Sequence, residues 1–474
     1  MMSYKRLSGL DTVFLAAESP GNWLHVMAIL ILDPRSVPGG YSFDRFRDYV
    51  AKRLHLIPPM RCRLVEVPFG LAPPIWVDDP ELDIDRHLRR AAVPPPGGPS
   101  ELARLAAEMM ERPLDRSRPL WEISMVEGVE GGQIALLAKL HHSMMDGMAG
   151  MQFMAALLSR EPDISDPDPA EIESAEAIPS DLRLLADAAP NRLGRPLRLA
   201  KAGAQTLGRL LKHRLADRSA DEFDAVEVPR MWLNAPSTPE RSVSYISLPL
   251  DTARGIAHAH DATLNDVILS IVGGALRCEL DRRDVLPDAP LVAAVPVSTH
   301  DEGDDLANAV SVMYVRLGTD VADPIERLHT IRDDARRAKH RQGSLFGNSA
   351  SAWADAFLPY ETAFLAGLTL DLGLLHHLPP LCNLVVSNIP GPPVPLYLGG
   401  ARLMGIHPLG PIFDGMALNI TVLSREDETL DFGLVALGRL IRDPWPLANA
   451  LKASLEELSR AAGVADEPSS RSAS

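Results

Sequence analysis

Within Ala138–Gly150 the chain reads AKLHHSMMDGMAG, and the residues able to do chemistry are His141, His142 and Asp146. Histidine suits proton removal near neutral pH, because its unperturbed pKa is about 6.5. A carboxylate four residues on, past a turn, can fix the loop or the imidazole tautomer. Gly147 can take a positive φ and turn the chain sharply into the next helix. Metal ligation fits less well. Helical histidine ligands favour i, i+4 spacing, and adjacent histidines on a strand point to opposite faces. No metal site is therefore expected. A bland alternative stays open, in which the histidines pack at a strand end and Asp146-Gly147 is a turn. The chain carries an internal control: His376 and His377 form a second pair, but Leu381 stands where the aspartate would be, and that pair reads as structural.

Chemistry at the pair needs a nucleophile. The chain has no G-x-S-x-G, and Cys62, Cys278 and Cys382 all lie far from the motif. Direct attack by a substrate hydroxyl follows, with no acyl-enzyme. Three scattered cysteines also argue against a disulfide framework or structural zinc and fit a reducing cytoplasm.

The elements that position the pair can be read locally. PLWEISMVEGVEGGQIALLAKLHH predicts a β-hairpin turning at Gly131-Gly132. Residues 24–33 predict a buried strand. PSELARLAAEMMERPLD predicts a helix capped by Ser100 and ended by Pro113. Residues 147–160 predict another helix. Glu161–Asp181 carries eight acids, no base and four prolines, the composition of a solvated linker. Beyond it, Leu193–Leu215 predicts a basic amphipathic helix. A second α/β region follows. Its strands are VSYISLPL, LVAAVPVS, AVSVMYVRL, CNLVVSNIPGP, MALNITVLS and LDFGLVAL. Its helices are TLNDVILSIVGGALRCEL, capped by Thr263 or Asn265, then DPIERLHTIRDDARRAKHR and DPWPLANALKASLEELSRAA.

At 474 residues the chain exceeds the size of one growing core, so two domains are expected. We place an N-terminal domain at 1–160, the linker and basic helix at 161–225, a C-terminal domain at 226–465, and a disordered tail at 466–474. Two α/β regions across a polar linker suggest a cleft between them. A net charge of −16 argues against a nucleic-acid partner. The longest apolar run, Leu24–Leu32, is far short of the roughly 20 residues that span a bilayer.

HHxxxDG resembles the motif of the CoA-dependent acyltransferase superfamily. Other segments are similar to the bacterial wax ester synthase/acyl-CoA:diacylglycerol acyltransferase (WS/DGAT) family. They are the opening LSGLDTVFLAAESPGNWLHV, PLW at Pro119, Leu120 and Trp121, ND at Asn265 and Asp266, the PVS of VPVSTH, and SNIPGP from Ser387. They occur in the family's order along nearly the whole chain. A Gly-Asn pair usual in the family is here Ala307-Asn308.

The resemblance implies two chloramphenicol-acetyltransferase-like α/β domains, mixed β-sheets flanked by helices, with an active-site tunnel at the domain interface. It implies acyl transfer from acyl-CoA to diacylglycerol, and to long-chain alcohols as wax esters, with no permanently bound cofactor. His142 would be the general base, His141 would support the site, and Asp146 would hold the motif loop, with Gly147 beside it. Asn265, Asp266, Ser387 and Asn388 are candidate supporting groups or oxyanion donors, while Asn265 could equally be a helix cap and Ser387-Asn388 an Asx-type turn. PLW reads as a packing motif. Met144 and Met145 read as core residues or as tunnel lining. The lipid substrates imply peripheral attachment to the inner membrane or lipid droplets from the cytoplasm, with the basic helix as one anchor. Two alternatives stay open: the same fold with another acceptor or a carrier-bound donor, and a catalytically silent lipid-binding paralogue.

Overall fold

The computed structural model describes residues 4–19, 21–144, 156–162, 167, 178–188, 199–200, 203–204, 227–298, 310–342, 358–362, 364, 367, 377–391, 394–425 and 429–464. Asp146, Gly147, Met145, Ala307, Asn308 and His376 lie outside these residues, as do residues 147–155 of the helix expected at 147–160 and most of the linker and the basic helix.

The N-terminal half holds β1 (Lys5–Arg6), α1 (Gly9–Ala16), β2 (His25–Asp33), α2 (Phe43–Arg53), β3 (Cys62–Val65), β4 (Ile75–Asp78), β5 (Leu88–Ala92), α3 (Pro99–Met110), β6 (Trp121–Glu127) and β7 (Ile134–His141). The C-terminal half holds β8 (Arg241–Pro249), α4 (Leu250–Ala259), α5 (Leu264–Arg282), β9 (Val292–Ser298), β10 (Val310–Arg316), α6 (Pro324–Gln342), β11 (Leu384–Pro390), β12 (Tyr397–Leu398), β13 (Ala401–Leu409), β14 (Leu418–Arg425), β15 (Thr429–Leu437) and α7 (Trp445–Ala461).

These strands form two six-stranded mixed sheets, ordered β12-β13-β2-β7-β6-β5 and β10-β9-β11-β14-β15-β8, and a small sheet β1-β4-β3. The fold is thus two mixed α/β layers, as expected. The chain crosses between them once more than the sequence suggested: β13, far along the C-terminal half, pairs antiparallel with β2. The segment ARLMGIHPL hides this role. Leu403 and Ile406 enter the N-terminal core cluster, while Leu409 enters the other. Where β13 meets the second sheet, a Cβ on Gly433 would stand 1.9 Å from the Pro408 carbonyl, so only glycine allows that approach.

β7 sits between β2 and β6, and every one of its residues is buried. The period of two explains how. Ile134, Leu136, Ala138 and Leu140 face the cluster around α2, while Ala135 and Leu137 face the cluster shared with α3 and the C-terminal half. Lys139 and His141 follow on that second face. Helix α3 starts at Pro99 with Gly98 as N-cap, not Ser100. Proline at the first helical position is pre-set for the helix and lacks an N–H that would go unpaired there.

Candidate active site

The histidine pair terminates β7 where neighbours on both sides hold its backbone. The His141 N–H donates to the Leu120 carbonyl at 3.0 Å, and the His142 N–H to the Leu24 carbonyl at 2.9 Å. Leu120 belongs to PLW, whose Trp121 is 1% exposed and donates its indole N–H to the Met60 carbonyl at 2.8 Å. Its ring stacks on His87 with centroids 4.4 Å apart. PLW, including buried Pro119, therefore packs beside the pair and fixes one of its amides.

His141 is buried on the α3 side, opposite His25 in the register of β2 and β7. Its Nδ1 lies 2.7 Å from the Ser143 hydroxyl and accepts the Ser143 N–H at 3.1 Å. Its Nε2 is 3.1 Å from Glu18 Oε1, which stands off the axis of the ring N–H, so this is a charge–dipole contact rather than an aligned hydrogen bond. Glu18 also accepts from Arg116 Nη2 at 2.7 Å and from the Leu24 N–H at 3.0 Å. Burial alone would raise the Glu18 carboxyl; His141, Arg116 and the Leu24 amide outweigh it and hold it at about 2.

The same face satisfies the carbonyls that end α3. His25 Nε2 is 2.8 Å from the Met110 carbonyl, and Lys139 Nζ donates to the Met109 carbonyl at 2.8 Å and the Arg112 carbonyl. Burial first, then the Lys139 charge, holds His25 at about 3. Burial brings Lys139 down to about 8.

His142 starts a short 3₁₀ turn, His142–Met144, and is half-buried. Its ring lies against Phe14 of α1, with centroids 4.4 Å apart. Burial, and then the neighbouring His141, push the imidazole down to about 4, so the ring is neutral at neutral pH. Its own backbone carbonyl pulls weakly the other way. In a neutral imidazole one nitrogen donates and the other keeps its lone pair. The second nitrogen of His142 is therefore available as a base. Met144 is buried in the α2-side cluster, beside Leu140.

The remaining candidates sit on the second sheet. Asp266 is spent on the start of α5: its Oδ2 accepts from the Thr263 N–H and hydroxyl, both at 2.8 Å, and Thr263 Oγ1 accepts the Asp266 N–H at 3.2 Å. Thr263 is the N-cap, and Asn265 is a half-buried residue of the first turn. Ser387 and Asn388 are not in a turn. They lie on β11, paired in parallel with Thr421 and Val422 of β14. The pairing of β11 with β9 covers only Leu384 and Val385, so the two strands part before Ser387. Asn388 Oδ1 is buried with no hydrogen-bond partner among the described residues. The register partner of the next residue, Ile389, is Leu423, which belongs to the same apolar cluster as Leu140 and Met144. Leu423, on the strand beside β11, thus belongs to one extended apolar cluster with the last residues of β7.

Glu18 is the member of this site that sequence reasoning missed. It lies inside the opening segment that carries the family resemblance, but its partners Arg116 and His141 are remote in sequence. The signal was a lone acid in an apolar stretch, FLAAESPGNW.

Two mixed sheets, one of which takes β13 from the C-terminal half and ends its strand β7 in the histidine pair, form a fold shared with condensation domains. The starter condensation domain of rhizomide synthetase matches with a TM-score of 0.56 at 13% identity, covering 97% of this chain and 95% of that one. The wax ester synthase/diacylglycerol acyltransferase of Marinobacter aquaeolei VT8 matches with a TM-score of 0.66 at 29% identity, covering 97% of this chain and all of that one. The wax ester synthase/diacylglycerol acyltransferase catalytic-domain model matches residues 7–268, and the WS/DGAT C-terminal model residues 306–459. A putative diacylglycerol O-acyltransferase of Mycobacterium tuberculosis is 36% identical over 96% of this chain and 90% of its own length. Another from the same organism is 34% identical over 97% of this chain and all of its own. This chain belongs to the wax ester synthase/diacylglycerol acyltransferase family, and is an acyltransferase.

Proposed function

We propose that this protein moves a long-chain acyl group from acyl-CoA to the hydroxyl of diacylglycerol, and also to long-chain alcohols, by direct transfer. The observation that carries the mechanism is His142: a neutral imidazole, half-buried against Phe14, on a turn whose first amide the Leu24 carbonyl holds.

The unprotonated nitrogen takes the acceptor's hydroxyl proton as the oxygen attacks the thioester carbonyl carbon. The carbonyl oxygen becomes an oxyanion, which requires a donor. The Ser387 hydroxyl and the Asn388 amide, on the parted end of β11, are the groups we assign to it. Collapse breaks the carbon–sulfur bond, and the imidazolium returns its proton to the CoA thiolate. Ester and free CoA leave, and His142 is neutral again. Asp146 and Gly147 shape the motif loop, His141 supports it, and acyl chains occupy a tunnel between the sheets. Both acceptors are membrane lipids. Among the described residues no helix is long and apolar enough to cross a membrane. We place the encounter with these lipids at a membrane or droplet surface on the cytoplasmic side.

The test is acyl transfer by purified protein with palmitoyl-CoA, offering dioleoylglycerol and hexadecanol separately, and following free CoA and lipid product together. Triacylglycerol formation with stoichiometric CoA release is expected. Acyl-CoA binding without product from either acceptor would overturn the reading in favour of another acceptor or a lipid binder.

A further inference from the structure

We propose that Glu18 is a positioning residue for the acyl transfer: acting through His141, Ser143 and Leu24, it holds the turn that aims His142 and ties that turn to the C-terminal half. The inference rests on His142 being the base.

Hydrogen bonds decide the protonation of His141. Its Nδ1 accepts the Ser143 N–H at 3.1 Å, and a nitrogen that receives an N–H carries no proton of its own. The Ser143 hydroxyl, 2.7 Å from the same nitrogen, then points its hydrogen there as well. The ring proton of His141 must lie on Nε2, the nitrogen facing Glu18 at 3.1 Å. A carboxylate there favours this tautomer and opposes the ring flip that would remove the acceptor from Ser143.

A second route reaches the base itself. Glu18 accepts the Leu24 N–H at 3.0 Å, and the Leu24 carbonyl accepts the His142 N–H at 2.9 Å. One carboxylate therefore constrains both sides of the 141–143 turn. No hydrogen bond of Glu18 leads to the ring of His142, so its role is position and not proton transfer.

The loop that carries Glu18 is fastened at its far side. The Gly21 carbonyl accepts from Arg241 Nη2 and from Ser237 Oγ, both at 2.8 Å, and both residues belong to the C-terminal half. Gly21 has φ +100°, and a Cβ there would stand 3.1 Å from Pro239. Any shift between the halves at this seam is passed through residues 18–24 to the histidine turn. Replacing a buried ion pair with apolar residues is often neutral for stability. A buried carboxylate with two contacts that lead to one turn, through His141 and through Leu24, is better accounted for by what it orients.

Three measurements decide. In wild type, ¹⁵N imidazole shifts of His141, assigned by their loss in His141→Gln, should report the Nε2–H tautomer at pH 7.5; an Nδ1–H or doubly protonated ring overturns the proposal. Glu18→Gln should lower kcat by about 10²-fold, the loss that a misplaced group brings, with KM for palmitoyl-CoA nearly unchanged. Unchanged kcat, or kcat and KM lost together, overturns it. Arg116 is 41% exposed, so Arg116→Leu should fold and show a smaller loss of kcat in the same pattern; full activity in that variant counts against the proposal. If wild type transfers no acyl group, the acyl-transfer reading fails, while the tautomer measurement still decides the Glu18–His141 arrangement.

Discussion

The ends of β7 and β11 differ in how their polar groups are satisfied. After β7, both histidine amides, the Ser143 amide and the Glu18 carboxylate have partners within 3.1 Å. After Val385, β11 loses its neighbour β9, and Asn388 is left with a buried oxygen, unpartnered among the described residues. At the β7 end the backbone amides of the pair are fixed and His141 Nε2 still has the off-axis Glu18 contact, whereas a buried group with no partner among the described residues carries a cost that calls for an explanation. The difference teaches a division of labour. The backbone of the β7 end is fixed, and the β11 end keeps an unpaired acceptor, Asn388 Oδ1, which can receive a hydrogen bond, while the donor we assign to the oxyanion is the Asn388 Nδ2 amide.

The contrast can be broken most severely at its centre. His142→Ala should lose about 10²–10⁴-fold in kcat, the range for a general base, with the fold retained by circular dichroism. Asn388→Ala should lose about 10²–10³-fold, as for an oxyanion donor, with the melting temperature unchanged or slightly raised, since the deleted oxygen has no bond to lose. A large drop in melting temperature would place Asn388 among the structural groups. Trp121→Ala should act oppositely. It should cost about 3–5 kcal/mol in denaturant unfolding, the range for deleting a buried tryptophan.

pH separates the two ends by another route. His25 and His142 are held neutral at about 3 and about 4, below the unfolded value of 6.5. Between those values the unfolded chain binds protons that the native one does not, so stability falls as pH drops from about 6.5 towards 4. Melting temperatures measured from pH 7.5 to 4.5 should fall, and less steeply in His25→Gln. The smallest effect is expected far from the pair: Thr263→Ala removes the cap of α5 and should cost about 1 kcal/mol with activity kept. A loss of turnover there would draw Asn265 and Asp266 into the site.

Much of this was legible in the residues. An apolar run ending in HH predicts β7, because a strand buried on both faces must be apolar on both. VSYISLPL, LVAAVPVS and MALNITVLS match β8, β9 and β14, and Thr263 caps the helix expected there. β13 was not legible, because its apolar residues serve two cores and its partner β2 lies in the other half. CNLVVSNIPGP matches β11, and its parallel pairing with β14 places Ser387-Asn388 in the expected strand and not in the alternative Asx-type turn. Glu18 escaped because a carboxylate's partner is a tertiary fact that no local spacing encodes.

The account's central claim, direct transfer to a hydroxyl with His142 as base, is tested most directly in a single turnover. Excess protein is mixed with [¹⁴C]palmitoyl-CoA, with and without dioleoylglycerol, then quenched and separated. The account predicts that CoA is released only when the acceptor is present, that label passes to triacylglycerol without residing on protein, and that His142→Ala abolishes both. A burst of CoA without acceptor, with label bound covalently to the chain, would contradict it.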